Sequence, residues 1–308
     1  MRVAKLDIDQ FYASITTALH AKQVPCAITG GLACVEFGVV EHTEDCDLIF
    51  PPSHAETLLE ILRSKTFGRI ECRYRKTSPP LDARWLTGGY TAHFLWPTVT
   101  SEKPALDVFG VPPRVTTSWE KETVGRFAGM HTVAEMKRTN RRKDWDQATA
   151  LGVRMLQEND QRGWLHIFDA PTLRRLIQTI SPEPEQVRQR PVLQLAIDAD
   201  PVLDRAVQTE IDFWTHLDAL RLKVYRDGHD RYARALIKES ALPSRLDTEH
   251  QLRVKYAQDL LPERPLQEYG TLRLTDEAQK ATAIGIDPRL LSFLPQVESH
   301  FRGISEIS

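Results

Sequence analysis

Apolar side chains recur at helical spacing near the start of the chain, at Ile8, Phe11, Tyr12, Ile15 and Leu19, and predict a helix over 8–21. Pro25 breaks the pattern. A short apolar run at 26–29 reads as a strand, Gly30-Gly31 as a turn, and 32–38 as a short helix closed by Gly38. A second strand over 45–50 stops at Pro51-Pro52, and the helix predicted over 53–65 carries Leu58, Leu59, Ile61 and Leu62 on one face. Strands are predicted at 69–75, 90–96 and 105–109, separated by Pro79-Pro80 and by the stretch from Pro97 to Pro104. Gly88-Gly89 reads as a hairpin turn before Tyr90. Beyond 131 strand signals fade, and helical spacing fills 131–157, 171–180, 185–197, 201–226, 229–240 and 249–261. Residues 181–185, Ser-Pro-Glu-Pro-Glu, read as a helix start or short linker. The expected architecture is a mixed α/β (α+β) domain with a small mixed sheet over 1–130, followed by a mostly α-helical domain over 131–308.

The densest chemistry lies on the second predicted strand. In Thr43-Glu44-Asp45-Cys46-Asp47 the two aspartates alternate, so they share one strand face while Cys46 points to the other. The glycine turn before them lets backbone approach a phosphate, and the paired carboxylates suit divalent cations. A third acid, Asp107, sits at the centre of Ala105-Leu106-Asp107-Val108-Phe109. A lone charge in so apolar a strand is costly without a partner or a metal, and a water-facing edge strand is the other reading.

Other acids have simpler explanations. Asp7 and Asp9 precede a helix, and Asp198 and Asp200 precede Pro201, so capping suffices for both pairs. Asp144 and Asp146 fall on a predicted helix, where positions two apart diverge. Residues 137–143 hold five basic side chains, of which Lys137 and Arg141 are four apart and point together toward the site; Asp144 reads as an ion-pair partner for that cluster. Trp85, Phe94, Trp96, Trp119, Trp145 and Trp164 show no stacking register and read as core, and His42 as a polar loop residue.

The order glycine-glycine, short helix, T-x-D-x-D, then a distant apolar strand with one aspartate resembles the nucleotidyltransferase-fold superfamily. That superfamily includes polymerase-beta-type and minimal nucleotidyltransferases and the abortive-infection toxin-like nucleotidyltransferases. Met136-Lys137 followed by Arg141-Arg142-Lys143-Asp144 resembles the basic helix that follows the core in the last group. The likeness covers roughly 24–150. It implies that Asp45, Asp47 and Asp107 are catalytic and bind two Mg²⁺ (or Mn²⁺) ions. It also implies that Gly30, Gly31, Thr43, Lys137 and Arg141 bind a nucleoside triphosphate such as ATP. A nucleoside monophosphate would then pass to a hydroxyl acceptor: an RNA or tRNA end, a protein or a small molecule. A toxin–antitoxin or phage-defence role, with a cognate antitoxin as partner, is implied at the same level. The sequence departs from the pattern at Glu41, which precedes His42 where many relatives carry an arginine. That departure leaves a second class open, a catalytically inactive nucleotide-binding or partner-binding module.

Bulk properties change this picture little. A formal net charge of -2 gives no global nucleic-acid footprint, so a polynucleotide partner would need a local basic patch such as 137–143 or 221–234. No apolar run approaches the ~18 residues of a membrane span. The first residues are acidic where a secretion signal would be apolar, which places the expected protein in the cytoplasm. Cys26, Cys34, Cys46 and Cys72 lack C-x-x-C spacing and read as small buried residues rather than zinc ligands or disulfides.

Overall fold

A computed structural model describes residues 8–43, 45–97, 104–239 and 245–297. Asp7, Glu44, most of the stretch from Pro97 to Pro104 and the end of the helix expected over 229–240 lie outside the described residues.

The first elements follow the apolar pattern. Helix α1 (Ile8–Ala21) buries Phe11, Tyr12, Ile15 and Leu19. It is followed by β1 (Ala27–Thr29), α2 (Gly30–Glu36), β2 (Asp45–Ile49) and α3 (Ala55–Ser64). The strand expected at 69–75 is instead two two-residue pieces, β4 (Ile70–Glu71) and β5 (Arg73–Tyr74), preceded by β3 (Thr66–Phe67), which forms a separate ribbon with β4. Gly88-Gly89 is not a hairpin. It ends helix α4 (Ala83–Thr87), whose start is capped by the Asp82 carboxylate accepting the Arg84 N–H. A Cβ at Gly88 would lie 1.7 Å from the Glu263 carbonyl oxygen, so glycine is required there by close backbone approach. Strands β6 (Thr91–Leu95) and β7 (Ala105–Phe109) stand where expected. Two further pieces, β8 (Thr123–Val124) and β9 (Phe127–Ala128), are too short to show a period in sequence.

These strands form one seven-stranded mixed sheet in the order β5-β6-β7-β2-β1-β9-β8. The β2–β7 and β1–β9 pairings are parallel and the others antiparallel. Alternation decides the two faces. Cys46, Leu48, Ala92, Phe94, Leu106 and Val108 join the apolar stripes of α1 and α3 in the main core. Tyr12 fixes α1 to the first residue of β7, its hydroxyl donating to the Ala105 carbonyl at 2.9 Å and accepting the Ala105 N–H at 3.0 Å. All four cysteines are buried and unbridged, as expected. The opposite face carries the acids.

The rest of the chain is mostly helical, with different breaks from those expected. The helix expected over 131–157 is two, α5 (Met130–Met136) and α6 (Arg142–Gln157). Helix α7 (Ala170–Leu176) follows. The run over 185–197 divides at Pro191 into α8 (Pro184–Gln189) and α9 (Val192–Ile197). Proline at that point cannot donate to the preceding turn. Residues 181–185 do start a helix: Gln186 Oε1 accepts the Glu183 N–H at 3.1 Å, closing the first turn of α8. Two helices expected over 201–226 and 229–240 are one, α10 (Leu203–Lys238). Gly228 lies inside it for packing, since a Cβ there would come 2.9 Å from the Pro262 ring and 3.1 Å from the Tyr90 hydroxyl. Helices α11 (Leu246–Leu260), α12 (Pro265–Tyr269) and α13 (Thr271–Ala283) follow, and a 3-10 turn over Pro288–Phe293 comes after them. No helix among the described residues is long and apolar enough to cross a membrane.

Helix α10 stands over the acid-bearing side of the sheet. Tyr225 donates to the Gly88 carbonyl at 2.9 Å, and Tyr232 to the Ser78 carbonyl at 2.9 Å. One buried carboxylate joins the parts more tightly. Asp218 of α10 accepts from Arg114, from Arg221 Nε at 3.0 Å and from the Asn140 backbone N–H at 3.1 Å. Arg114 also donates to the Met136 carbonyl, capping α5. The 137–141 break is therefore held by two charged groups that water cannot compensate. Asp218→Ala is expected to destabilise the fold by about 3–5 kcal/mol, because it leaves the Arg114 charge buried without its carboxylate. Asp230→Ala, which removes an exposed pair with Arg234, is expected to cost under about 0.5 kcal/mol. Urea unfolding of both variants measures the difference, and equal costs would refute the role given to Asp218.

Candidate active site

Strand pairing builds the site. Parallel register sets Asp47 of β2 directly opposite Asp107 of β7. Antiparallel register sets His93 of β6 opposite Asp107, and Thr29 of β1 opposite Asp47. Paired residues share a face, so Thr29, Asp47, Asp107 and His93 form one row across four neighbouring strands. Asp45 lies two residues before Asp47 on that face and is exposed. The three acids named from sequence are thus on one side of the sheet. The edge-strand reading of Asp107 fails, since β7 lies between β6 and β2.

The glycine turn lies directly against this row. Gly30 has φ +64, and a Cβ there would sit 1.7 Å from Asp47 Oδ2. A Cβ at Gly31 would lie 2.7 Å from Thr43 Oγ1. Any side chain at Gly30 would displace the carboxylate, so the pair serves both the left-handed backbone and the approach. Gly30, Gly31, Thr43 and Asp47 are therefore one contiguous surface.

Lys137 and Arg141 reach the same region by a route the sequence spacing misdescribes. They are not neighbours on one helix. Lys137 ends α5 and Arg141 precedes α6. Both converge on Asp144, which is fully buried: Lys137 Nζ lies 3.5 Å from Oδ1, and Arg141 Nε and Nη2 lie 2.7 Å from Oδ2. Thr139 Oγ1 donates to Oδ2 at 2.6 Å. Asp144 thus has the pairing role expected of it. Thr29 Oγ1 donates to Met136 Sδ at 3.4 Å, which ties the end of α5, and with it Lys137, to the end of β1.

The electrostatics of the row are strained. Loss of hydration raises the Asp47 carboxyl from its ordinary 3.8 to about 7; Asp107 and Asp45 push the same way, and Lys137 and Arg141 oppose them. The Asp107 Oδ1 atom accepts from His93 Nδ1 at 2.7 Å and from Arg75 Nη1 at 3.3 Å. Neither partner was legible in the sequence. His93 belongs to no motif, and only the β6–β7 register brings it to Asp107.

Beside His93 and Arg75, between the sheet and α10, lies a cavity of about 710 Å³ lined in part by Lys76, Tyr90, Tyr225, Arg226 and His229. Glu41 and His42 are exposed. Trp85, Phe94, Trp96, Trp119, Trp145 and Trp164 are buried core residues, as expected. Asp200 Oδ1 accepts the Val202 N–H at 2.8 Å, a capping bond that accounts for that acid.

Carboxylate oxygens are the donor type that Mg²⁺ or Mn²⁺ prefers, and a divalent ion would relieve the like-charge crowding at Asp47. As the side chains stand, no group of three or more His, Cys, Asp or Glu among the described residues is gathered in ligand geometry, and Asp107 is engaged by His93 and Arg75. The donor chemistry fits; the arrangement requires Asp107 to release those partners. Compared with known protein families and with curated proteins, the sequence matches none.

The raised Asp47 carboxyl has a signed consequence. The folded chain holds this proton more tightly than the unfolded chain, so the associated stability is present below about pH 4 and is lost as pH rises through about 7. Asp47→Asn removes the ionisation. With EDTA present, the variant is expected to gain about 1–2 kcal/mol over the wild type at pH 8, and markedly less at pH 5. Chemical denaturation at the two pH values reads this out, and a pH-independent difference would contradict it.

Proposed function

We propose that the chain is a metal-dependent nucleotidyltransferase of the nucleotidyltransferase fold, which moves a nucleoside monophosphate from a nucleoside triphosphate to a hydroxyl acceptor. The single observation that carries this reading is the row in which Asp47 and Asp107 stand in register on adjacent parallel strands, with Gly30 packed on Asp47 and Asp45 on the same face. Asp45, Asp47 and Asp107 would hold the Mg²⁺ or Mn²⁺ ions, whose chemistry is to bridge the triphosphate and make the acceptor hydroxyl a better nucleophile. The glycine turn and Thr43 offer the surface on which phosphates lie. Lys137 and Arg141 supply positive potential at that surface, and Asp144 keeps the buried Lys137 from lacking a countercharge. His93 and Arg75 hold Asp107 until the ions displace them.

The acceptor is assigned to the cavity beside His93. Its cations Arg75, Lys76, Arg221 and Arg226, interleaved with Tyr90 and Tyr225, suit a backbone phosphate and a stacked base better than a neutral small molecule. An RNA or tRNA end is therefore the favoured acceptor over a protein hydroxyl. A toxin or defence role with a cognate antitoxin, in the cytoplasm, belongs to the same proposal.

A second reading is kept by one observation. The hold of His93 and Arg75 on Asp107 also suits a catalytically silent nucleotide-binding module. Incubation with each labelled triphosphate, Mg²⁺ and total cellular RNA separates the two. Label is expected to enter RNA, and Asp47→Asn is expected to lower the rate about a hundredfold or more. Triphosphate binding by calorimetry without any transfer would favour the silent module, and transfer undiminished by Asp47→Asn would sink the assignment.

A further inference from the structure

Four consecutive backbone carbonyls, from Arg75 to Ser78, are held by side chains of α10 and α11. Arg253 Nη2 donates to the Arg75 and Lys76 carbonyls at 3.3 Å, and His229 Nε2 donates to the Thr77 carbonyl at 2.6 Å. Tyr232 and Arg253 Nη1 both donate to the Ser78 carbonyl, at 2.9 and 2.7 Å. Arg253 is fully buried, and its charge is met by Glu249 at 2.6 Å. The segment after β5 therefore forms a fixed wall of the cavity beside His93, and His229, which lines the same cavity, is one of its anchors.

The bond to Thr77 fixes the chemistry of the His229 ring. A carbonyl can only accept, so the ring carries its N–H on Nε2. Burial lowers the proton affinity of this ring below that of an ordinary histidine, and the neighbouring His93 acts in the same sense. The neutral ring then presents a bare lone pair on Nδ1. Among the described residues Nδ1 has no hydrogen-bond partner, yet it is not one of the sealed polar atoms that lack one, so it stays accessible at the cavity wall. That lone pair stands among donors. The charged groups of the wall are Arg75, Lys76, Arg221 and Arg226, and no Asp or Glu is among the lining residues. The Ser78 and Tyr225 hydroxyls already donate to the Pro79 and Gly88 carbonyls. Cations suit the phosphates of an incoming chain, but a phosphodiester has no proton to offer Nδ1. A sugar hydroxyl has one. In a ribose end the hydroxyl next to the attacked one is such a donor, and a deoxyribose end lacks it.

We propose that His229 Nδ1 accepts a hydrogen bond from the 2′-hydroxyl of the acceptor's terminal ribose, so that the cavity takes ribose-ended chains in preference to deoxyribose-ended ones. His229 is then the residue that sets acceptor specificity, and it takes no part in the transfer itself. The inference rests on the assignment of the acceptor to this cavity.

The test uses the full chain with Mg²⁺ at constant low ionic strength, and short labelled oligoribonucleotides of one sequence ending in ribose, 2′-fluororibose or 2′-deoxyribose. The fluorinated end keeps the size and pucker of the sugar and removes only the donor. Fluorescence anisotropy without triphosphate is expected to show the ribose end bound about threefold to tenfold more tightly than either other end. His229→Gln, which keeps a side-chain N–H for Thr77 and removes the imidazole lone pair, is expected to bring that ratio to about one, as is His229→Phe. Should His229→Phe fail to fold, His229→Gln carries the test. With labelled triphosphate added, the same preference is expected in kcat/KM. Absence of transfer to every end, with the ribose preference in binding intact, would sink the nucleotidyltransferase reading and leave this one standing. Equal affinity of the wild type for the ribose and 2′-fluoro ends, a preference that the folded His229 variants retain, or no binding of any end would overturn the proposal.

Discussion

Two carboxylates standing in register on neighbouring parallel strands are the constraint around which the acid-bearing face is organised. Asp47 and Asp107 repel each other at sheet spacing, Asp47 in surroundings that hydrate it poorly, and the remaining groups of the face answer that repulsion. His93 and Arg75 take Asp107 from one side. Lys137 and Arg141 bias Asp47 from the other, while giving their direct contacts to Asp144. An arrangement this crowded is poorly suited to stability alone, and that is the physical reason for reading it as a site that receives cations.

The helical part of the chain has a positional role in this. Lys137 and Arg141 lie on a break between two helices, and such a break needs external support. Asp218 supplies it by accepting the Asn140 N–H while pairing with Arg114, which caps the helix that ends at Lys137. The same long helix closes the cleft beside His93 through Tyr225 and Tyr232. The main core draws in Leu151 and Leu246, and Trp85 and Tyr90 share a cluster with Tyr232, Leu236 and Leu261. Burial and buried charge, rather than covalent continuity, thus bring the cations to the acids.

Legibility differed between local and distant features. The stripe Phe11, Tyr12, Ile15, Leu19 and the alternation Asp45-Cys46-Asp47 appear in the structure as read, because period and burial are coupled within one element. Breaks were read less well. The separate helical runs at 201–226 and 229–240 are one helix, in which Gly228 makes room for Pro262 and Tyr90; the interruption at 137–141 carries no glycine or proline at all. In each case the deciding group is far away in sequence. Short strands such as β8 and β9 contain too few residues to show any period.

By itself the sequence determined which residues could carry charge-based chemistry, and on which face of its own strand each acid stood, since side-chain alternation is a local property of extended backbone. It also determined that Gly30 could take a left-handed conformation beside those acids. Tertiary structure alone decided that Asp107 pairs with Asp47 rather than facing water, and that His93 and Arg75 hold Asp107. Register between strands and burial between helices depend on contacts distant in the chain, and no local pattern encodes them.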